Sequence, residues 1–425
     1  MRFHKTFIAA LVVALFWTAP AFGRVYLDIT AAQLRKVPMA VPYFIDKTKP
    51  GPLPAGIEMS KIMSQGLTFH GFINVEPADR YQGRQDVDWQ SLGVDFTVLG
   101  QYKLDDDKIV IELRLINLSE GRMLLGRRYR GPASKSRDMI LKFCDEIILS
   151  LTGERGISRS SISFISDLSG DKEVYLADVL GNDIRQVTHH HNLTVSPRFS
   201  PNGKLLAYTS YHHGNADLYI TNLAGITTRP ISRRKGLNMA PAWAPDGNSM
   251  VLTLSKDGNP DLYQINTQGA ILRRLTANAG INVSPSWSPD GKQLAFVSDR
   301  SGSPQIYVMD ITNKRLRRIT YEGTDNTAPS WSPDGGVIAY TGEFEGSYSI
   351  FLISPEGGPS IRVTKSWGNH ESACWSPDGN QLVFTRERNG EKKLCSIFKN
   401  GTGSRELFKM KGNQNYPQWS PRLSK

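Results

Sequence analysis

Along residues 162–419 apolar side chains come in short alternating runs of four to six, each closed by proline, glycine, asparagine or aspartate. Runs of that length predict strands, since helices need about ten residues or more to carry an apolar stripe. One unit shows the grammar. Ser284, Pro285, Ser286 and Trp287 form an extended run that stops at Ser288-Pro289-Asp290-Gly291. Proline at the second turn position presets φ, and glycine tolerates positive φ at the exit, so a tight turn follows. Strands over 294–298, 305–310 and 317–320 complete the unit, separated by a loop at 299–304 and a turn at Thr312 and Asn313.

This unit recurs every 44 residues. Phe199, Trp243, Trp287, Trp331 and Trp375 each lead a full copy of the turn, and Trp419-Ser420-Pro421 is a truncated one. Other positions keep the same register. Tyr175, Tyr219, Tyr263, Tyr307, Phe351 and Cys395 form one column; Thr188, Ser232, Thr276, Thr320, Thr364 and Phe408 form another. A fixed period in the forties with four short strands per unit predicts a β-propeller. Strands at 162–165, 173–178 and 184–188 lack an innermost partner before them, whereas 416–419 is one strand with nothing after it. Together they make one blade, so six blades closed by the C-terminal strand are expected.

Residues 24–155 follow a different pattern. Val25, Leu27 and Ile29 alternate with Tyr26, Asp28 and Thr30, as in a strand with one apolar face. Strands are expected at 38–44, 96–100, 109–116 and 123–129, and helices at 57–67 and 134–151. The second helix has Ile140, Leu141, Cys144, Ile147, Ile148 and Leu151 at helical spacing. The fold class is therefore α+β and multidomain: a small α/β domain over 24–155, then an all-β six-bladed propeller over 156–425.

Composition adds a compartment. Arg2 and Lys5 precede the apolar run 7–17, which ends in small residues at 19–23. A bilayer span needs about 20 apolar residues, so residues 1–23 read as a secretion signal, cleaved after Gly23 or alternatively after Ala21. No lipid-anchor cysteine stands at that site. Losing Arg2 and Lys5 takes the formal charge from +11 to +9. That excess suits an anionic envelope surface or serves solubility alone, and no basic block with interleaved aromatics suggests nucleic acid. Cys374 and Cys395 fall on strands of one blade with another strand between, roughly 9–10 Å apart and beyond disulfide reach. Three free, mostly buried thiols are expected.

Taken together, the signal, the small α/β domain and the repeated turns resemble the TolB family of the Tol-Pal system. Local matches include Val41-Pro42-Tyr43-Phe44, Leu92-Gly93-Val94-Asp95 leading into Val98-Leu99-Gly100-Gln101, and Leu151-Thr152-Gly153. The resemblance implies a periplasmic, monomeric scaffold without enzymatic activity or cofactor. Its implied partners are the peptidoglycan-associated lipoprotein Pal, held at one propeller mouth, and TolA, held by the mature N-terminus. Further outer-membrane or peptidoglycan-associated partners also fit it, and its implied role is outer-membrane integrity and constriction during division.

Two sites carry over. Arg24, Val25, Tyr26, Leu27, Asp28, Ile29 and Thr30 would add as a strand to a partner's sheet edge, or else form the first strand of the α/β domain. The mouth is formed by loops preceding each tryptophan strand, at the end of the ring opposite the Ser-Pro-Asp-Gly turns. Its columns hold Leu193, Leu237, Ile281, Asp325, Asn369 and Asn413, then Thr194, Asn238, Asn282, Asn326, His370 and Gln414. Val195, Met239, Val283, Thr327, Glu371 and Asn415 come next, with Ala240 following Met239. An apolar half of leucine, isoleucine, methionine and valine faces an amide-rich half, which suits a protein interface. By resemblance, Asn238, Ala240 and Val283 fall where the family binds Pal; the alternative is that the asparagines only cap turns.

Two competing chemistries are weighed against this. His189, His190, His191, His212 and His213 gather on loops at one end of the ring, but without the spacing or the carboxylate that would define a metal site. A propeller hydrolase of lactonase or esterase type would use Asn282, Asn326, Asp325 and Glu371 as calcium ligands in the channel. Only two of those are carboxylates, no G-x-S-x-G turn occurs, and no hydrolase domain is expected after Trp419.

Overall fold

Six four-stranded antiparallel sheets make up most of the computed structural model, which describes residues 36–277 and 279–422. The secretion signal and the segment Arg24 to Thr30 lie outside the described residues. Each blade starts from an inner strand carrying the tryptophan position: Thr194–Phe199, Asn238–Trp243, Asn282–Trp287, Asn326–Trp331, Asn369–Trp375 and Gln414–Trp419. The outermost strands are short, down to two residues at Arg185–Gln186, Ile361–Arg362 and Arg405–Glu406, where only part of the expected 184–188 run pairs.

The repeated turn works as its residue types require. In one copy the Ser288 hydroxyl donates to Asp290 Oδ1 (2.6 Å), while that carboxylate accepts from the Lys292 amide (3.0 Å). These bonds hold the Asp290 carboxyl below its usual range, the Ser288 bond first. Gly203, Gly247, Gly291, Gly335 and Gly379 all sit at φ between 69° and 79°, where a side chain would be strained. The tryptophans join neighbouring blades. Trp243 Nε1 donates to the Arg198 carbonyl, Trp287 to Ala242 and Trp375 to Ser330, each across a blade boundary. Trp331 turns instead to its own Gly335 carbonyl.

Ring closure is as the strand count demands. Gln414–Trp419 pairs antiparallel with Ser161–Ser166, with Trp419 opposite Ile162, in a sheet completed by Glu173–Asp178 and Arg185–Gln186. The columns are also explained. Tyr175, Tyr219, Tyr263, Tyr307 and Cys395 are buried between blades, and Phe351 is half-buried. The hydroxyls of Thr188, Thr276, Thr320 and Thr364 accept from the amides of Val174, Leu262, Ile306 and Ile350, each on the third strand of its blade.

In the N-terminal domain, strands β1 (Val37–Ala40), β2 (Ile45–Asp46), β3 (Ile73–Glu76), β4 (Phe96–Asp105), β5 (Lys108–Asn117) and β6 (Arg122–Pro132) form one sheet in the order β3-β1-β4-β5-β6, with β2 beside β4. Helices α1 (Pro54–Thr68) and α2 (Ser136–Thr152) cover one face, burying Met63, Leu67, Ile140, Phe143, Cys144 and Ile147 against it. Gly66 lets the helices approach, since a Cβ there would stand 2.8 Å from Cys144 Sγ. The strand β3 and the two-residue β2 were not legible in the sequence. β3 has only Ile73 and Val75 as an apolar face and is held by parallel pairing to β1. All three cysteines are free and buried.

The domains meet at the turn after α1. Phe69 enters the propeller core, edge-on to Trp419 at 6.0 Å and under the Arg405 guanidinium at 4.5 Å. Its carbonyl accepts from Arg405 (3.0 Å) and Gln381 (3.2 Å). Next to it His70 is fully enclosed and bonded to Ser158 Oγ at 3.0 Å, so burial pushes its pKa down to about 4. His370 is lowered to about 4 by burial too. Both are held neutral in the fold and gain protons readily once exposed, so the stability they contribute is complete above pH ~6.5 and is lost as pH falls toward about 4. Urea midpoints measured from pH 7 to pH 4.5 will fall, and His70→Gln will flatten part of that fall.

Candidate functional site

The inner strands run from the mouth inward to the Ser-Pro-Asp-Gly turns, and each is bent midway by a β-bulge. The bulge residues Ser196, Ala240, Ser284, Ala328, Ser372 and Tyr416 all have φ between 49° and 57°. Such left-handed backbone costs an L-residue roughly 1–2 kcal/mol, and here it recurs in every blade. Proline follows in five blades and Ala373 in the other. The six bulge residues all face the central channel. Ala240 thus lines the channel, one residue inward of the half-exposed Met239.

The amide column lies elsewhere than the sequence suggested. Thr194, Asn238, Asn282, Asn326, His370 and Gln414 are all 0–2% exposed. Asn238 Nδ2 donates to the carbonyls of Ala216, Arg234 and Gly236, while Oδ1 accepts from the Ser232 hydroxyl and the Arg234 amide. Asn282 donates to Asp261 Oδ1 at 2.9 Å and accepts from Arg300 at 2.6 Å. Asn326 donates to Gln305 and to the Glu322 carbonyl, and His370 Nε2 meets Ser366 Oγ. The Gln414 Oε1 accepts from the Leu394 amide. These side chains close the loop that enters each inner strand and have almost no exposed surface. A hydrogen-bonding side chain recurs there, an amide in four blades and threonine or histidine in the other two, because each loop leaves polar groups to be paired.

Their neighbours form the mouth surface. Leu193, Leu237, Met239 and Val283 are half-exposed and Ile281 is 45% exposed, all on adjacent blades. Opposite them stand Asp325, Thr327, Asn369, Glu371, Asn413 and Asn415, partly exposed. Asp325 accepts from the Tyr348 hydroxyl (2.7 Å), and burial raises the Glu371 carboxyl. Asn369 and Asn413 accept from backbone amides of the neighbouring hairpins.

Two residues of this face escaped the sequence reading. Trp367 is 66% exposed and Tyr321 71% exposed, on the loops entering Asn369–Trp375 and Asn326–Trp331. Arg388 lies over the Trp367 ring at 5.5 Å and Arg318 over Tyr321 at 4.7 Å. Exposed aromatics braced by arginine are the residue types that anchor protein interfaces. Their signal was there to be read: both stand just before the aligned columns, in loops where the other repeats have no aromatic.

The residues of the two rival chemistries are placed as follows. His190 packs between Tyr208 and Tyr219, bonds Ser210 Oγ at 2.6 Å, and is lowered by burial. His212 stacks on it at 4.8 Å and bonds its carbonyl; His189, His191 and His213 are exposed. Asn282 and Asn326 are committed to the loop networks, and Asn282 has a guanidinium against its oxygen. Among the described residues no group of three or more His, Cys, Asp or Glu side chains is placed to share a metal ion. No helix of the described residues is long and apolar enough to cross a membrane.

Comparison with known proteins agrees with this architecture in both domains. The family described as TolB amino-terminal domain matches residues 25–124, and that described as TolB beta propeller domain matches residues 149–423. A Tol-Pal system protein TolB of Desulfotalea psychrophila is 47% identical over 196 residues, 46% of this chain and 44% of that protein. One of Desulfosudis oleivorans is 36% identical over 216 residues, 47% of this chain and 49% of the other. The matched stretches thus span about half the length of these curated relatives. A crystal structure of TolB from Acinetobacter baumannii superposes with a TM-score of 0.80 at 27% identity, covering 93% of this chain and all of that one. With both domains matched in order and the fold shared along nearly its whole length, the chain belongs to the TolB family.

Proposed function

We propose that the protein is a non-enzymatic scaffold of the Tol-Pal system in the periplasm, supporting outer-membrane integrity and constriction during division. The ordered match of both TolB domains carries this reading, since relatives so matched are named as Tol-Pal system proteins. The mouth supports a binding role. Leu237, Met239, Ile281 and Val283 offer an apolar patch, and Trp367 and Tyr321 offer aromatic anchors across from it. A protein partner, the lipoprotein Pal, would seat there, and Arg24 to Thr30 would engage TolA by strand addition. Capture from solubilised envelopes tests it: Pal should be retained by the tagged full-length protein, and its absence would refute the mouth assignment. Calcium-dependent ester or lactone hydrolysis by the purified protein would favour the hydrolase instead.

The N-terminal segment has its own test. Removing residues 24–30 will abolish TolA binding and leave Pal binding within a factor of about two, because the described fold begins its core pairing only at Val37. Binding of both partners measured by calorimetry decides; TolA retained by the shortened protein would count against the segment.

A further inference from the structure

Immediately before the tryptophan position of each inner strand, the 44-residue register places Arg198, Ala242, Ser286, Ser330, Cys374 and Gln418. One of the six is charged. The others are small or neutral, and they leave a cavity of about 360 Å³ in the channel, at the end nearer the Ser-Pro-Asp-Gly turns. Among the described residues Arg198 is the only charged one lining it: no aspartate, glutamate, lysine or histidine contributes. Its side chain makes one hydrogen bond, from Nη1 to the carbonyl of its own neighbour Pro197 at 2.9 Å. Among the described residues the rest of the guanidinium fork has no hydrogen-bond partner. Burial pulls its pKa down, yet a guanidinium keeps its proton under all ordinary conditions.

The Arg198 side chain is partly exposed within the channel, so its free N–H groups are open to a ligand, and the same position is filled by alanine or serine in three other blades without any change of fold. The surroundings are equipped for an acceptor. Ser196, Ser284 and Ser372 stand on the bulge ring around Arg198, and Gln418 lies on the adjoining blade. Trp243 and Trp287 give the cavity an apolar wall.

We propose that this channel cavity is a binding site for a carboxylate group, held by the Arg198 fork with the serine hydroxyls as further donors. Charge decides between oxyanions. A monoanionic carboxylate neutralises the single guanidinium and matches its planar fork in a two-bond pairing. A phosphate dianion would leave one negative charge without a partner in the same stretch of channel. The carboxylate belongs either to a small free acid or to an acidic side chain of a polypeptide inserted along the channel. This site is independent of the mouth surface and of the proposed scaffold role.

Calorimetric titration of the mature full-length protein with benzoate tests it, with benzamide as the neutral isostere and inorganic phosphate as the competing oxyanion. Benzoate should bind with one site per chain, benzamide should not bind, and Arg198→Gln should weaken benzoate by roughly tenfold or more. Equal binding of benzoate and benzamide to the unaltered protein overturns the proposal without relying on any variant. So does tighter binding of phosphate than of benzoate, or benzoate binding unaffected by Arg198→Gln. A blocked Gly-Glu-Gly peptide separates the two sources: binding tighter than benzoate identifies an inserted polypeptide, weaker binding a free acid.

Discussion

Truncation after Met410 will unfasten the propeller and release the N-terminal domain with it. The lost strand Gln414–Trp419 supplies the innermost strand of a blade whose other three strands lie at the opposite end of the propeller sequence. Trp419 is 5% exposed, and its indole donates to Ser160 Oγ at 2.7 Å. Deleting a buried tryptophan side chain alone costs about 3–5 kcal/mol, and a domain holds only about 5–15 kcal/mol in total. Strand Ser161–Ser166 would also become an open apolar edge, which invites pairing between molecules. The damage extends further because Phe69 of the N-terminal domain rests on Trp419 and shares its core cluster. The truncated protein is therefore expected as oligomer or aggregate by gel filtration, without a cooperative urea transition at the full-length midpoint. Trp419→Ala should lie between the two. A monomeric truncation with an unchanged midpoint would show that five blades suffice.

How far the sequence reached follows from which physics was periodic. Tryptophan, proline, aspartate and glycine recur because each blade needs the same turn and the same bond to its neighbour, so period, blade number and closure were all legible. Helices α1 and α2 announced themselves by their apolar stripes. Strand β3 did not, because its place depends on parallel pairing across α1 and not on any local pattern. The amide column stayed ambiguous for the reason that made it visible. A recurring asparagine looks the same in sequence whether it caps a loop or greets a partner, and only burial separates the two: Asn238 and Asn282 are fully enclosed, whereas Ile281 beside them is not. Trp367 and Tyr321 were passed over because they break the period, and a reading built on columns discounts what stands outside them. Arg198 departs from its column in the same way.

Recognition and folding should therefore separate along a single strand. At the mouth, Met239→Glu and Val283→Arg are expected to lower affinity for the proposed lipoprotein partner by about 2 kcal/mol or more, roughly thirtyfold, while the urea midpoint stays put. Both side chains are half-exposed, and among the described residues their polar engagement is limited to a long contact from the Tyr211 hydroxyl to Met239 Sδ at 3.8 Å. Asn238→Ala should do the reverse. It removes the acceptor of the Ser232 hydroxyl and the Arg234 amide and the donor to the Arg234 and Gly236 carbonyls, while the Ala216 carbonyl keeps the backbone amide of residue 238. Unsatisfied buried groups cost about 1–3 kcal/mol each, partly relieved as the loop relaxes, so a loss of about 2–4 kcal/mol of stability is expected. Affinity measured on the remaining folded protein should change little. If Asn238→Ala weakens binding at full stability, the buried amide reaches the partner after all, through a loop that opens on contact. If Val283→Arg leaves binding intact, the partner sits elsewhere on the ring, and the aromatic pair Trp367 and Tyr321 on the far side of the mouth becomes the place to substitute next.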